Sequence, residues 1–76
     1  MDTLERIALD PAVMGGRPCI RGTRVTVGTI VGLFATGHER KEIIELYPYI
    51  SSDDISAALS YAAWRLEEHE VDVAVG

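Results

Sequence analysis

The segment covering residues 14–26 constrains the fold more than any other part of this chain. It reads Met-Gly-Gly-Arg-Pro-Cys-Ile-Arg-Gly-Thr-Arg-Val-Thr, with three of the seven glycines, the single cysteine and no acidic residue. Just before it, Asp10 and Pro11 form a helix-start signal that predicts one capped turn. Gly15 or Gly16 would end that turn in a left-handed conformation. The chain is therefore expected to turn sharply here.

A short β-hairpin is predicted directly after this turn, within residues 19–25. The residue before Pro18 is expected to be extended, and Arg21-Gly22 has the form of a two-residue hairpin loop. A hairpin of this length is unstable alone. It is therefore expected to pair with the apolar run at residues 6–9, or with the same arm of a second subunit.

The rest of the chain has the periodicity of three helices, over residues 27–36, 40–47 and 53–68. Thr26 is expected to cap the first helix, and Gly37 is expected to end it in a left-handed conformation. Pro48 ends the second helix. Ser51 and Asp54 have the spacing of a capping box at the start of the third.

The helix spacing also predicts which side chains are buried. One face of the first helix carries Val27, Ile30, Val31 and Phe34. A core face of the third helix carries Ile55, Ala58, Leu59, Ala62 and Leu66. A second face of that helix carries Ala57, Tyr61 and Trp64, which one small domain has no obvious way to bury. That face is interpreted either as a wide core stripe or as an apolar interface with a partner.

Together these elements predict one mainly α domain with a helix-turn-helix-like, or winged-helix-like, arrangement of three helices. Residues 1–26 form its N-terminal β-arm and hairpin, residues 27–69 its body, and residues 70–76 a tail. Because 47% of the 76 residues are hydrophobic, a partner chain is expected to cover part of this surface, in a homodimer or an obligate complex. The chain has no apolar run of the roughly 20 residues that would span a membrane. Its single cysteine suits a reducing cytoplasm.

The net charge and the spacing of reactive side chains limit which functions are compatible with this sequence. The net charge is −5, so any nucleic-acid binding requires a local basic patch such as Arg40 and Lys41 beside the third helix. The aspartates in the first turn of that helix oppose contact with phosphates. Nothing in the spacing supports a nucleophile–base pair, a phosphate-binding loop, a metal site or a cofactor. Arg17, Arg21 and Arg24 remain, either as exposed hairpin residues or as a rigid basic loop that binds phosphate or carboxylate.

The motif Gly-Gly-Arg-Pro-Cys-Ile-Arg-Gly-Thr-Arg, together with its flanks over residues 7–26, strongly resembles the bacterial family called domain of unknown function 433. Residues 42–50 and 54–63 are similar to the same family. The resemblance implies a small helix-turn-helix-like fold with an N-terminal β-arm. It also implies the antitoxin of a type II toxin–antitoxin pair, with a PIN-like nuclease as the usual toxin. Residues 28–29 and 38–41 depart from the family pattern and weaken two helix starts.

We therefore expect a dimeric, non-enzymatic antitoxin that neutralises a PIN-like nuclease and represses its own operon by binding operator DNA. The alternatives are a DNA-binding regulator without a toxin, or a structural dimer. Arginine inserted among the carboxylates that hold metal in such nucleases would neutralise them. The expected partner or nucleic-acid contacts are Arg17, Arg21, Arg24, Arg40 and Lys41, and the expected apolar interface is Ala57, Tyr61 and Trp64.

Overall fold

A computed structural model of the protein describes residues 5–67 and contains three helices and one small sheet. The helices are α1 (Val27–Ala35), α2 (Arg40–Leu46) and α3 (Ser52–Glu67). Two strands, β1 (Ile7–Ala8) and β2 (Cys19–Ile20), form an antiparallel sheet in the N-terminal arm. The prediction of a mainly α fold with a short β-arm is confirmed. The predicted tail at residues 70–76 lies outside the described residues.

The hairpin of the arm differs from the prediction. Strand β2 pairs with β1 of the same chain, with Ile7 opposite Ile20. The prediction of a two-residue loop is wrong. The backbone N–H of Ile20 donates to the carbonyl of Val25 at 2.9 Å, so the loop that this hydrogen bond closes has four residues. The Thr23 hydroxyl accepts a hydrogen bond from the Val25 N–H at 3.0 Å, which stabilises this wider loop. Gly22 has the expected positive φ, at +82°.

The turn before the hairpin begins as a capped turn at Asp10 and ends in residues with left-handed backbone conformation. The Asp10 carboxylate accepts a hydrogen bond from the Ala12 N–H at 2.9 Å, which confirms a capped turn at this position. Met14 does not complete a right-handed turn, since its φ is +50°. Gly15 and Gly16 follow with φ of +67° and +85°, so three consecutive residues are left-handed. Glycine adopts this conformation at no steric cost, whereas for Met14 the same conformation is strained.

The predicted helix ends are confirmed. Thr26 caps α1 by accepting a hydrogen bond from the Thr29 N–H at 2.9 Å. At the other end Gly37 has a φ of +97°, and the His38 N–H donates to the Leu33 carbonyl at 3.0 Å, the pattern of a Schellman motif.

The remaining two helix starts carry reciprocal caps. At α2 the Glu39 N–H donates to Glu42 Oε1 at 2.7 Å, so this start is capped despite its departure from the family pattern. At α3 the Ser51 N–H donates to Asp54 Oδ2 at 2.9 Å, and the Asp54 N–H donates to Ser51 Oγ at 3.1 Å. The predicted capping box is therefore formed.

Helix α3 lies at the centre of the packing, against α1, α2 and both strands. Because α1 and the arm both cover it, two faces of α3 are buried. Tyr61 is only 6% exposed and Ala57 is equally buried, so for these two residues the wide core stripe is confirmed and the apolar interface is wrong. Val31 and Leu66, which the spacing placed in the core, are exposed instead.

Candidate functional site

An open groove of about 790 Å³ lies beside the hairpin loop, between the arm and the segment that leads into α3. Its apolar lining includes Leu9 and Tyr49, which are both largely exposed, and the half-buried Val13. Its charged lining includes Arg21 and Arg24. Tyrosine and arginine are the residue types that most often dominate binding at protein interfaces. The groove is therefore the strongest candidate for a binding surface in the part of the chain that the structure describes.

Arg24 is the groove's available cation. Its side chain is exposed, and it makes no hydrogen bond or ion pair with any residue between 5 and 67. The carboxylate in the groove lining belongs to Asp10, which accepts the Ala12 N–H of its own turn. The Arg24 guanidinium can therefore meet an external carboxylate without first breaking a contact within residues 5–67.

Arg21 also lines the groove, but its guanidinium is anchored to the arm. Its Nε donates to the Glu5 carbonyl, and its Nη2 donates to the Ile7 carbonyl at 3.1 Å. The Arg21 N–H meanwhile donates to the Arg6 carbonyl at 2.7 Å. Ile7 is the first residue of β1 and Glu5 lies just before that strand. The Arg21 side chain therefore joins the hairpin loop to the beginning of β1.

Arg17 lies apart from the other two arginines of the loop. It is exposed and lines a shallower depression together with Pro18, Thr26 and Thr29 near the start of α1. The structure therefore does not gather all three predicted arginines into one patch. Arg21 and Arg24 share the groove, and Arg17 does not.

The predicted basic pair beside α3 is also divided. The Nη1 of Arg40 donates to the Ser52 carbonyl at 2.9 Å and to Ser56 Oγ at 3.0 Å, which joins α2 to α3. Only Lys41 remains exposed without such contacts within the described residues. A DNA-binding surface at this position would have one available cation, which is little for a chain of net charge −5.

Arg6 joins the arm to the body, a role that the sequence did not predict. Its Nη1 donates to Asp54 Oδ1 at 2.9 Å, and its Nη2 lies 3.7 Å from Asp53 Oδ2. Burial raises the pKa of the Asp54 carboxyl, but the hydrogen bonds from the Ser51 N–H and from Arg6 lower it by more, so the net pKa is below 3.8. Asp54 therefore stays ionised and holds both the helix cap and the arm.

Of the three residues predicted to form an apolar interface on α3, one is exposed. Ala57 and Tyr61 are core residues, while Trp64 is 53% exposed and lies against Tyr61 with ring centroids 6.0 Å apart. Trp64 remains a predicted interface residue. Leu9 and Tyr49 were missed, because exposed apolar residues beside a turn carry no periodic signal in the sequence.

Between residues 5 and 67 no group of three or more His, Cys, Asp or Glu side chains is placed to hold a metal ion. No helix in that range is both long enough and apolar enough to cross a membrane.

Comparisons with known proteins agree with the motif. The sequence profile of the family described as "Protein of unknown function (DUF433)" matches residues 7–62. The chain is 34% identical over 58 residues to the uncharacterized protein y4eO of Sinorhizobium fredii (strain NBRC 101917 / NGR234). That match covers 76% of this chain but only 26% of the relative, so the chain spans about a quarter of that protein's length.

A solved structure shows the same fold. The crystal structure of a DUF433 member protein from Anabaena variabilis ATCC 29413 superposes with a TM-score of 0.78 at 35% sequence identity. The superposition covers 91% of this chain and 68% of the other. With the motif, the profile and the fold in agreement, this chain belongs to the DUF433 family of proteins of unknown function.

Proposed function

We propose that this chain is a non-enzymatic, antitoxin-type binding protein that neutralises a PIN-like nuclease through the groove around Arg24. The nuclease partner is the one that the family resemblance implies. A nuclease of this kind holds its metal with clustered carboxylates, and a guanidinium is the side chain best suited to pair with them. The proposal also includes a homodimer, a cytoplasmic location and binding to operator DNA.

The observation that carries the proposal is the position of Arg24. Of the four arginines predicted to contact a partner, Arg21 and Arg40 are occupied by contacts within the chain. Arg24 is exposed beside Leu9 and Tyr49, so a partner's carboxylate and a neighbouring apolar side chain can bind side by side. A charged residue surrounded by apolar contact area that excludes water is the usual arrangement at the centre of a binding interface.

Co-expression tests the proposal. The proposal expects a PIN-like nuclease to be encoded beside the gene for this chain. That nuclease is expressed in a bacterial host, and growth is measured with the wild-type chain, with Arg24→Ala and with Arg17→Ala. We expect rescue of growth by the wild type and by Arg17→Ala, which lies outside the groove, and loss of rescue by Arg24→Ala. Equal rescue by all three would contradict the role of Arg24, and no rescue by the wild type would contradict the antitoxin function.

Arg21→Ala is a poor probe of the same question, because that guanidinium holds the Glu5 and Ile7 carbonyls of the arm. Loss of rescue by that variant would report a damaged arm as readily as a lost contact. The operator part of the proposal has its own test, a mobility shift with the chain's own promoter over a salt series. A shift that weakens with salt supports it, and no shift at low salt contradicts it.

A further inference from the structure

The groove around Arg24 is bounded by two parts of the chain. The N-terminal arm contributes the loop that carries Arg24 and the apolar side chain of Leu9, whereas Tyr49 belongs to the segment between α2 and α3. A partner that contacts both Arg24 and Tyr49 therefore requires one particular position of the arm on the body. The contacts that fix this position also fix the shape of the groove.

One carboxylate connects the arm to the segment that holds Tyr49. Asp54 Oδ2 accepts a hydrogen bond at 2.9 Å from the N–H of Ser51, two residues after Tyr49. Asp54 Oδ1 accepts a second hydrogen bond at 2.9 Å from Nη1 of Arg6 in the arm. The Asp54 side chain is largely shielded from water, and a charge-assisted hydrogen bond is stronger in such surroundings. Asp54 thus holds both the arm and the Tyr49 side of the groove.

The contact continues from Arg6 to the loop that carries Arg24. The Arg6 carbonyl accepts the Arg21 N–H at 2.7 Å. The Arg21 side chain donates to the carbonyls of the two flanking residues, Glu5 and Ile7. Arg21 is the first residue of the four-residue loop, and Arg24 is the last. A continuous series of hydrogen bonds therefore leads from one side of the groove to the other.

Apolar packing attaches the arm to the body but defines its position less narrowly. Ile7 and Ile20, from the two strands, are buried in the core that includes residues of α3. Hydrophobic contacts are non-directional, whereas a hydrogen bond weakens steeply when its angle changes. Loss of the Arg6–Asp54 ion pair should therefore leave the chain folded, with the arm less closely held.

We infer that Arg6 and Asp54 are positioning residues, whose ion pair holds the arm where Arg24 and Tyr49 can contact one partner. The identity of that partner as a nuclease rests on the proposed function, whereas control of the groove by the ion pair does not. Because the coupling between two sites is reciprocal, a partner bound in the groove should in turn stabilise the ion pair.

Amide hydrogen exchange of the full chain, without any nuclease, tests control of the groove. Asp54→Asn removes the charge but keeps a carbonyl oxygen for the helix cap. Asp53→Asn is the matched control, because Asp53 is exposed and lies 3.7 Å from the same guanidinium. We expect Asp54→Asn to accelerate exchange of the Ile20 and Arg21 amides about tenfold more than exchange of the α1 amides, and Asp53→Asn to change neither. Equal acceleration in the arm and in α1, as global destabilisation alone would produce, would overturn the inference.

Titration of the purified nuclease tests the consequence for binding, under conditions where circular dichroism shows every variant to be folded. Arg6 and Asp54 do not line the groove, yet Arg6→Ala and Asp54→Asn should each raise the dissociation constant about tenfold. The Asp53→Asn control should change it less than about twofold. The double variant should bind no more weakly than either single variant, since both substitutions remove the same contact.

Unchanged nuclease affinity in Asp54→Asn would overturn the inference. A wild-type chain that binds no nuclease would instead contradict the proposed function, and the exchange rates of the Ile20 and Arg21 amides would then decide the inference by themselves.

Discussion

Asp54 supplies the sharpest test of how the arm is attached to the body. Its carboxylate accepts the Ser51 N–H at 2.9 Å and the Arg6 guanidinium at 2.9 Å, with the side chain only 17% exposed. Loss of the hydrogen bond from the Ser51 N–H, one half of the capping box, costs about 1 kcal/mol, and loss of a hydrogen bond to a charged partner costs about 1.5–3 kcal/mol. Asp54→Ala is therefore expected to lower the free energy of unfolding by about 2–4 kcal/mol.

That is a large part of the total, because a domain of this size is stable by about 4–11 kcal/mol. The assay is urea denaturation followed by far-UV circular dichroism, with Asp53→Ala as the control. Asp53 is 80% exposed and 3.7 Å from the same arginine, so its loss is expected to cost no more than about 0.5 kcal/mol. Equal destabilisation by the two substitutions would refute the reasoning.

The same contact predicts a pH dependence. The pKa of Asp54 is lowered on folding, so its contribution to stability is complete above the ordinary value of 3.8. It is lost as the pH falls through the lower pKa of the folded state. The wild-type chain should therefore lose more stability than Asp54→Asn between pH 5 and the acid limit of folding, roughly pH 2. Identical pH profiles would contradict this assignment.

Further predictions follow from the arm, the helix ends and the core. Arg21→Ala should cost about 1–2 kcal/mol and accelerate amide hydrogen exchange in β1 first, because the Glu5 and Ile7 carbonyls lose their donor. Thermal denaturation should show opposite effects at two glycines. Gly32→Ala is expected to raise the free energy of unfolding by about 0.5–1 kcal/mol, because its helical position has space for a Cβ, whereas Gly37→Ala is expected to lower it by about 1–2 kcal/mol, because φ is +97° there. Denaturation should likewise show that Tyr61→Ala costs about 3 kcal/mol and Trp64→Ala less than about 1 kcal/mol.

The parts of the fold that the sequence predicts are those set by near neighbours. The caps at Thr26 and Gly37 and the box between Ser51 and Asp54 each involve residues within five positions, so the local sequence contains both partners. The hairpin loop is a partial exception. There the Thr23 side chain holds a wider turn than the Arg-Gly pair alone would form.

Contacts between distant residues are not predictable in the same way. Arg6 and Asp54 lie 48 positions apart, and nothing in the spacing says which of twelve acids this cation meets. Burial of Tyr61 requires that α1 and the arm both cover α3, which is a property of the packing. The three arginines of the loop look alike in sequence. Only their surroundings separate Arg21, which binds carbonyls, from Arg24, which binds none between residues 5 and 67.

Titration of the purified nuclease tests most directly the proposal that the Arg24 groove binds a nuclease. Binding of the wild-type chain, of Arg24→Ala and of Arg17→Ala is measured at one salt concentration. The dissociation constant should rise at least tenfold for Arg24→Ala, as expected for a lost charge-assisted hydrogen bond, and change less than about twofold for Arg17→Ala. Equal affinities for the wild type and Arg24→Ala would contradict the claim.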